Sequence, residues 1–208
     1  MSDDRKAPVS HWRRNRVLYV LIVVTLAPIL ASYFAYYVWP PAGRTNYGTL
    51  IEPQRPVPPI AASGLDGTAF DLHSLKDKWV LVMVDGGACD ALCDSKLLQM
   101  RQQRTMTGKD RDRIERVWFV TDREPLSTVL MREYEGTLFV RVDERELAPF
   151  LTLPESRDAR LRDHIWMIDP MGNLMLRWPR DPDPKGIKGD IARLLKAEAL
   201  WTRIERED

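Results

Sequence analysis

WVLVMVDGGACDALCDSKLL, residues 79–98, is the stretch on which the reading of this chain turns. Trp79 to Val84 is short, apolar and rich in β-branched side chains, which predicts a strand buried on both faces. Asp85-Gly86-Gly87 ends it in a turn. Cys89 and Cys93, the chain's two cysteines, then stand at the mouth of a helix expected to run through Gln103. Residues four apart share a helical face, with Cβ atoms about 5–6 Å apart, so both sulfurs address one object. That object is either a metal ion or the other sulfur.

Upstream, Val17 to Trp39 is 23 residues without a charge. At a rise of 1.5 Å per residue it extends roughly 34 Å, enough to cross a bilayer, so it reads as a transmembrane helix. Tyr33, Phe34, Tyr36, Tyr37 and Trp39 crowd its far end, where amphipathic rings prefer the membrane interface. His11 to Arg16 forms the basic flank that stays in the cytoplasm. A cleaved signal peptide is the alternative, but the run exceeds the usual apolar core of ~7–15 residues and no small-residue cleavage site closes it. The division expected is a cytoplasmic tail (1–16), a transmembrane helix (17–39), a proline-rich linker (40–59) and a folded domain (60–208). The linker holds Pro40, Pro41, Pro53, Pro56, Pro58 and Pro59, a composition that favours an extended stalk.

Over 208 residues, 31 Lys and Arg face 30 Asp and Glu. The first 16 residues carry five basic and two acidic side chains, leaving the remainder at a net −2. A near-neutral body of this kind gives no support to nucleic-acid binding, which needs a concentrated basic surface.

Downstream of the cysteines, Lys109 to Arg116 is a charge run read as a solvated loop, and Val117 to Val120 is the next buried strand. Ser127 is placed to cap a helix bearing Val129, Leu130 and Tyr134. Leu138 to Val142 reads as a strand and Glu144 to Leu151 as a short helix. His164 to Asp169 is a strand whose turn, Pro170-Met171-Gly172-Asn173, returns Leu174 to Trp178 antiparallel to it. Ile187, Ile191, Leu194, Leu195 and Leu200 keep helical spacing on one face, as a helix packed on a sheet requires. Strands alternating with helices and closing on a hairpin and a helix give an α/β sandwich around a mixed sheet.

A buried strand entering a cysteine pair at a helix start, then a strand of the form I-D-P-x-G-x with its hairpin and last helix, resembles the thioredoxin fold. With the C-D-A-L-C spacing, the single N-terminal anchor and the lead-in F-D-L-H-S-L-K-D-K-W, residues 57–200 are similar to the Sco/SenC family of cytochrome c oxidase assembly proteins. The chain departs from that pattern in places. Asp90 and Asp94 stand where the family has proline after each cysteine, and Gly86-Gly87-Ala88 where it has an aromatic-Thr/Ser-His sequence. Asp163-His164 stands nearer the I-D-P turn than the family's histidine does.

The resemblance implies a thioredoxin-like domain anchored in the bacterial inner membrane and facing the periplasm. It implies Cu(I) held by Cys89, Cys93 and His164, and a respiratory oxidase copper-centre subunit as partner. The residue chemistry agrees in part: soft thiolates select Cu(I), whereas structural zinc wants four protein ligands. The helix start favours a Cys89 thiolate, and Asp85, Asp90 and Asp94 oppose it. Three readings stay open: a copper-delivering or cysteine-reducing assembly factor, a periplasmic thiol-disulfide oxidoreductase, and a thioredoxin-like scaffold without metal. His73 reads as a local turn residue, and Met83, Met167, Met171 and Met175 as core or hairpin packing.

Overall fold

The computed structural model describes residues 11–37, 46–154, 156 and 158–207, and the chain divides into two compact units, Met1–Thr45 and Asn46–Asp208. In the first unit, α1 (His11–Tyr37) is one helix that exposes apolar side chains on all sides, from Val17 to Tyr37. A helix apolar all round suits lipid. Its stretch Asn15–Tyr37 is long and apolar enough to cross a membrane, which fits a single-pass anchor. Thr25 keeps its hydroxyl satisfied inside the helix by donating to the carbonyls of Leu21 (2.9 Å) and Ile22 (3.0 Å), as a bilayer demands. The first ten residues of the expected tail (1–16), the last residues of the expected span (38–39) and the start of the linker (40–45) lie outside the described residues.

The second unit is built on one sheet, which among the described residues has eight strands: β1 (Thr49–Pro56), β2 (Ala62–Gly64), β3 (Ala69–Phe70), β4 (Trp79–Asp85), β5 (Ile114–Val120), β6 (Thr137–Val142), β7 (Ile165–Ile168) and β8 (Asn173–Trp178). Their order is β1-β8-β7-β4-β5-β6-β2-β3. β4 pairs parallel with β5 and β5 with β6, while β7 lies antiparallel on the other side of β4. β4 is therefore central, and all seven of its residues are buried.

Alternation along the strands divides the core in two. Val80, Val82 and Val84 join Val117, Phe119, Trp166 and Ile168 on one face, with Leu147 of α4 (Glu144–Leu147). Leu81 and Met83 join Trp118, Ile165, Met167 and Trp178 on the other. That second face is covered by Cys93, Leu97 and Met100 of α2 (Ala91–Met106) and by Ile187, Ile191 and Leu195 of α5 (Pro184–Glu207). The remaining helix, α3 (Thr128–Glu133), follows β5. The result is the mixed sheet with flanking helices expected of a thioredoxin-like fold.

Local differences from the sequence reading have physical reasons. Thr49–Pro56, inside the stretch read as a linker, is an edge strand paired with β8; prolines are tolerated at a sheet edge, where one row of N–H groups has no strand to serve. The charge run splits into a 3-10 turn at Gly108–Arg113 and the start of β5, and Arg116 is buried within the sheet. The helix expected over Glu144 to Leu151 is α4 alone: Ala148 keeps helical dihedrals (φ −56°, ψ −38°), but Pro149 after it has no N–H with which to continue the ladder. Ser127 stands at the start of α3, but its side chain caps nothing. The hairpin turn is as read, with Gly172 at φ 87°.

Candidate functional site

β4 ends at Asp85, and the chain crosses the tips of the parallel strands before entering α2. Two glycines make that crossing possible. The Gly87 N–H donates to Asp122 Oδ1 at 2.9 Å, and a Cβ at Gly87 would meet the Glu124 carbonyl oxygen at 2.5 Å. A side chain there would push the loop off the end of β5. Cys89 follows with its N–H on the Gly86 carbonyl (3.3 Å) and with φ of 44°, a left-handed conformation uncommon outside glycine. Asp90 then caps α2, accepting from the N–H groups of Leu92 (3.0 Å) and Cys93 (3.1 Å).

The cysteines meet each other. Cys89 and Cys93 form a disulfide with Cα atoms 5.1 Å apart. Cys93 is fully buried against the α2 and α5 core, while Cys89 keeps some exposure. The pair is thus asymmetric, with Cys89 partly exposed and Cys93 fully buried.

The three carboxylates that sequence places against a Cys89 thiolate each have a partner. Asp85 is 4% exposed and takes the ammonium of Lys96, itself 3% exposed, at 2.9 Å. Lys96 also donates to the carbonyls of Val84 (3.1 Å) and Arg162. Burial pushes the Lys96 ammonium below its ordinary range, with the Asp85 charge acting the other way. The Arg162 guanidinium bridges Asp85 Oδ1 (3.3 Å) and Asp90 Oδ2. Asp90 is held below the usual carboxylate range, first by the Cys93 N–H and, against the cost of burial, by Arg162 as well. Asp94 accepts from the Tyr134 hydroxyl at 2.7 Å, and burial together with that bond drives the phenol upward. Beside Asp90 and Leu92 lies a crevice of about 450 Å³, walled by Arg160, Arg162, Asp163 and Arg180.

His164 sits elsewhere. It is buried, its Nδ1 lies 2.8 Å from the Trp178 carbonyl, and its ring meets Trp166 edge-on at 5.7 Å. Its backbone is extended and runs into β7, so strand alternation puts it on the face of Trp166, whereas Cys93 packs with Ile165 on the other. Burial lowers its pKa from the ordinary histidine value, favouring the neutral ring. Among the described residues no group of three or more His, Cys, Asp and Glu side chains is arranged to hold a metal. The structure therefore brings Cys89 and Cys93 together and does not bring His164 into a ligand set with them. His73 bonds locally to Asp71 at 2.9 Å, and Met83 and Met167 are core while Met171 is exposed at the hairpin turn.

Sequence reasoning does not single out Lys96 or Arg162, and it gives Asp85 as a turn residue and an obstacle to the Cys89 thiolate rather than as a buried ion-pair partner. A signal for Lys96 was present: it stands three residues after Cys93, on the helix face that Cys93 and Leu97 bury. For Arg162 there was none, because its partners lie 72 and 77 positions away.

Residues 79–198 match the family model described as "Transmembrane-like, thioredoxin-like, C-terminal domain". No curated protein matches the sequence. Among solved structures, the chain is similar to apo Sco1 from Thermus thermophilus, with 20% identity, a TM-score of 0.57, and coverage of 74% of this chain and 99% of that one. It is similar to copper-bound yeast Sco1, with 15% identity, a TM-score of 0.52, and coverage of 68% and 89%. A third likeness is to BsSco, described with a disulfide switch and as a member of the Sco family of cytochrome c oxidase assembly proteins, with 16% identity, a TM-score of 0.50, and coverage of 69% and 96%. At these identities the likeness is one of fold.

Proposed function

Because this chain belongs to the transmembrane-like, thioredoxin-like, C-terminal domain family, we propose that it is a membrane-anchored thiol-disulfide module that serves assembly of a respiratory copper centre. The observation that carries the reading is the Cys89–Cys93 disulfide at the start of α2, with one partly exposed and one fully buried cysteine. In the reduced protein the Cys89 thiolate attacks a disulfide sulfur of a partner, and one partner thiolate leaves. Cys93 then attacks the Cys89 sulfur, closes the intramolecular bond and releases the second partner thiol. Two electrons pass to the partner, and an external dithiol returns the pair to its starting state. The domain faces the periplasm, held by a helix in the bacterial inner membrane whose basic flank stays in the cytoplasm. The domain limits proposed are those of the sequence, with β1 added to the folded body.

Cu(I) is the second reading, favoured by the fold likeness to copper-bound yeast Sco1. Here copper is cargo rather than a resident cofactor. Oxidised, the pair offers no thiolate; reduced, Cys89 and Cys93 supply two soft donors, and His164 joins them only if the segment before β7 rearranges. The partner proposed is a respiratory oxidase copper-centre subunit.

The test is equilibration of the full chain, in detergent, with glutathione redox buffers. The expected result is reversible gain and loss of two thiols with the fold retained. A disulfide that resists reduction until the protein unfolds would make it a structural staple and overturn the proposal.

A further inference from the structure

Arg162 stands where four charges meet, in the 3-10 turn Leu161–Asp163 that precedes β7. Its guanidinium contacts Asp85 and Asp90, one at the end of β4 and one next to Cys89 in sequence, and its carbonyl accepts from Lys96. Asp85 and Asp90 carry two negative charges, and Lys96 and Arg162 carry two positive ones. Asp163 also acts on Lys96 and Arg162 but has its own partner in Arg180 at 3.4 Å, so Asp85 and Asp90 are balanced only with Arg162 present. Lys96 cannot replace it, since the buried ammonium is bonded to Asp85 and two carbonyls and has no bond to Asp90. The other acid near the pair, Asp94, is served separately by Tyr134.

We propose that Arg162 is the positioning residue that sets the dithiol-disulfide balance of Cys89 and Cys93, by neutralising the two carboxylates that flank the loop between β4 and α2. This rests on the thiol-disulfide reading above. Reduction converts one S–S bond into two sulfurs with thiol and thiolate character, and cations near a cysteine favour that form while carboxylates oppose it. Arg162 also ties Asp90, the cap that orients the first turn of α2, to the segment before β7. The chemistry is an exchange with glutathione. A first glutathione thiolate attacks one protein sulfur and expels the other; a second displaces the mixed disulfide and leaves as glutathione disulfide. Two electrons enter the protein, and protons from solvent complete the thiols.

The experiment measures the equilibrium constant of the full chain in detergent against glutathione at pH 7, for wild type and for Arg162→Gln, Arg162→Lys and Arg180→Gln. Arg162→Gln leaves one carboxylate charge uncompensated beside the pair. Removing the cation disfavours the thiolate share of the reduced pair, so the balance should move by more than about twofold toward the disulfide. Arg162→Lys should recover most of the shift, because the charge returns. Arg180 pairs with Asp163 at 3.4 Å and with neither Asp85 nor Asp90, so Arg180→Gln should stay within about twofold of wild type. Circular dichroism of each oxidised variant confirms the fold. The proposal is overturned if Arg162→Gln matches wild type within about twofold, if Arg162→Lys fails to restore the balance, or if Arg180→Gln shifts it equally. A wild-type disulfide inert to glutathione overturns the thiol-disulfide reading itself, and this proposal with it.

Discussion

Replacing Lys96 by Met should cost about 3 kcal/mol of stability in the oxidised protein. Lys96 Nζ donates to Val84 O at 3.1 Å, to Asp85 Oδ2 at 2.9 Å and to the Arg162 carbonyl, all beneath α2. Methionine fills the volume and removes the three donors, leaving the Asp85 carboxylate, 4% exposed, with Arg162 at 3.3 Å as its cation. Breaking a buried pair by deleting one partner costs roughly 3–5 kcal/mol, and the surviving Arg162 contact places this case at the lower end. Removing both charges is a different perturbation. Lys96→Met combined with Asp85→Leu exchanges a desolvated ion pair for apolar packing and should return to within about 1 kcal/mol of wild type. Thermal unfolding followed by tryptophan fluorescence reads this directly, since Trp118, Trp166 and Trp178 are fully buried. A loss of about 3 kcal/mol corresponds to a fall of roughly 6–12 °C in a unit of this size. The reasoning is refuted if Lys96→Met costs under about 1 kcal/mol, or if the double variant is as unstable as the sum of the singles.

Other expectations follow from the same geometry. Arg116 is buried in β5 with Nε and Nη1 unpartnered, and burial pushes its pKa down to about 10, so the folded state disfavours its charge. Arg116→Met should therefore stabilise by about 1–2 kcal/mol in denaturant melts below pH 10, and should abolish the rise in wild-type stability as pH climbs from about 10 toward 12.5. Asp90 titrates lower when folded than unfolded, so its contribution is complete above its ordinary value of 3.8 and is lost as pH falls through the depressed one. Asp90→Ala should flatten that acid limb in thermal melts taken across the range. Gly87→Ala should cost roughly 1–3 kcal/mol by chemical denaturation, since the added Cβ meets the Glu124 carbonyl.

The sequence was most informative where periodicity and residue type agree. The all-apolar run Trp79 to Val84 identified the central strand, and Pro170 with Gly172 identified the hairpin turn. The cysteine spacing narrowed the pair to two chemistries, a shared metal or a mutual bond, and the structure takes the second. What could not be read was set by partners distant in sequence. A proline-rich segment looks like a stalk until β8 offers it an edge, and Arg116 looks like surface charge until the register with Leu81 and Thr137 places it in the sheet. Similarly, Asp85, Asp90 and Asp94 look like an acidic obstacle to thiolate chemistry. Only tertiary contacts show that Lys96 and Arg162 neutralise the first two and that Tyr134 hydrogen-bonds the third.

The asymmetry of the cysteine pair offers the most direct test of the account. The full chain is expressed in bacterial membranes with Cys93→Ser or Cys89→Ser, thiols are blocked on lysis, and covalent adducts are resolved without reductant. Cys89 is the partly exposed member of the pair, and without Cys93 a mixed disulfide on it cannot be resolved. Cys93→Ser should therefore accumulate adducts that reductant releases, and Cys89→Ser should accumulate none. Adducts absent from Cys93→Ser, or equally abundant in Cys89→Ser, would contradict the assignment of a thiol-disulfide role to this site.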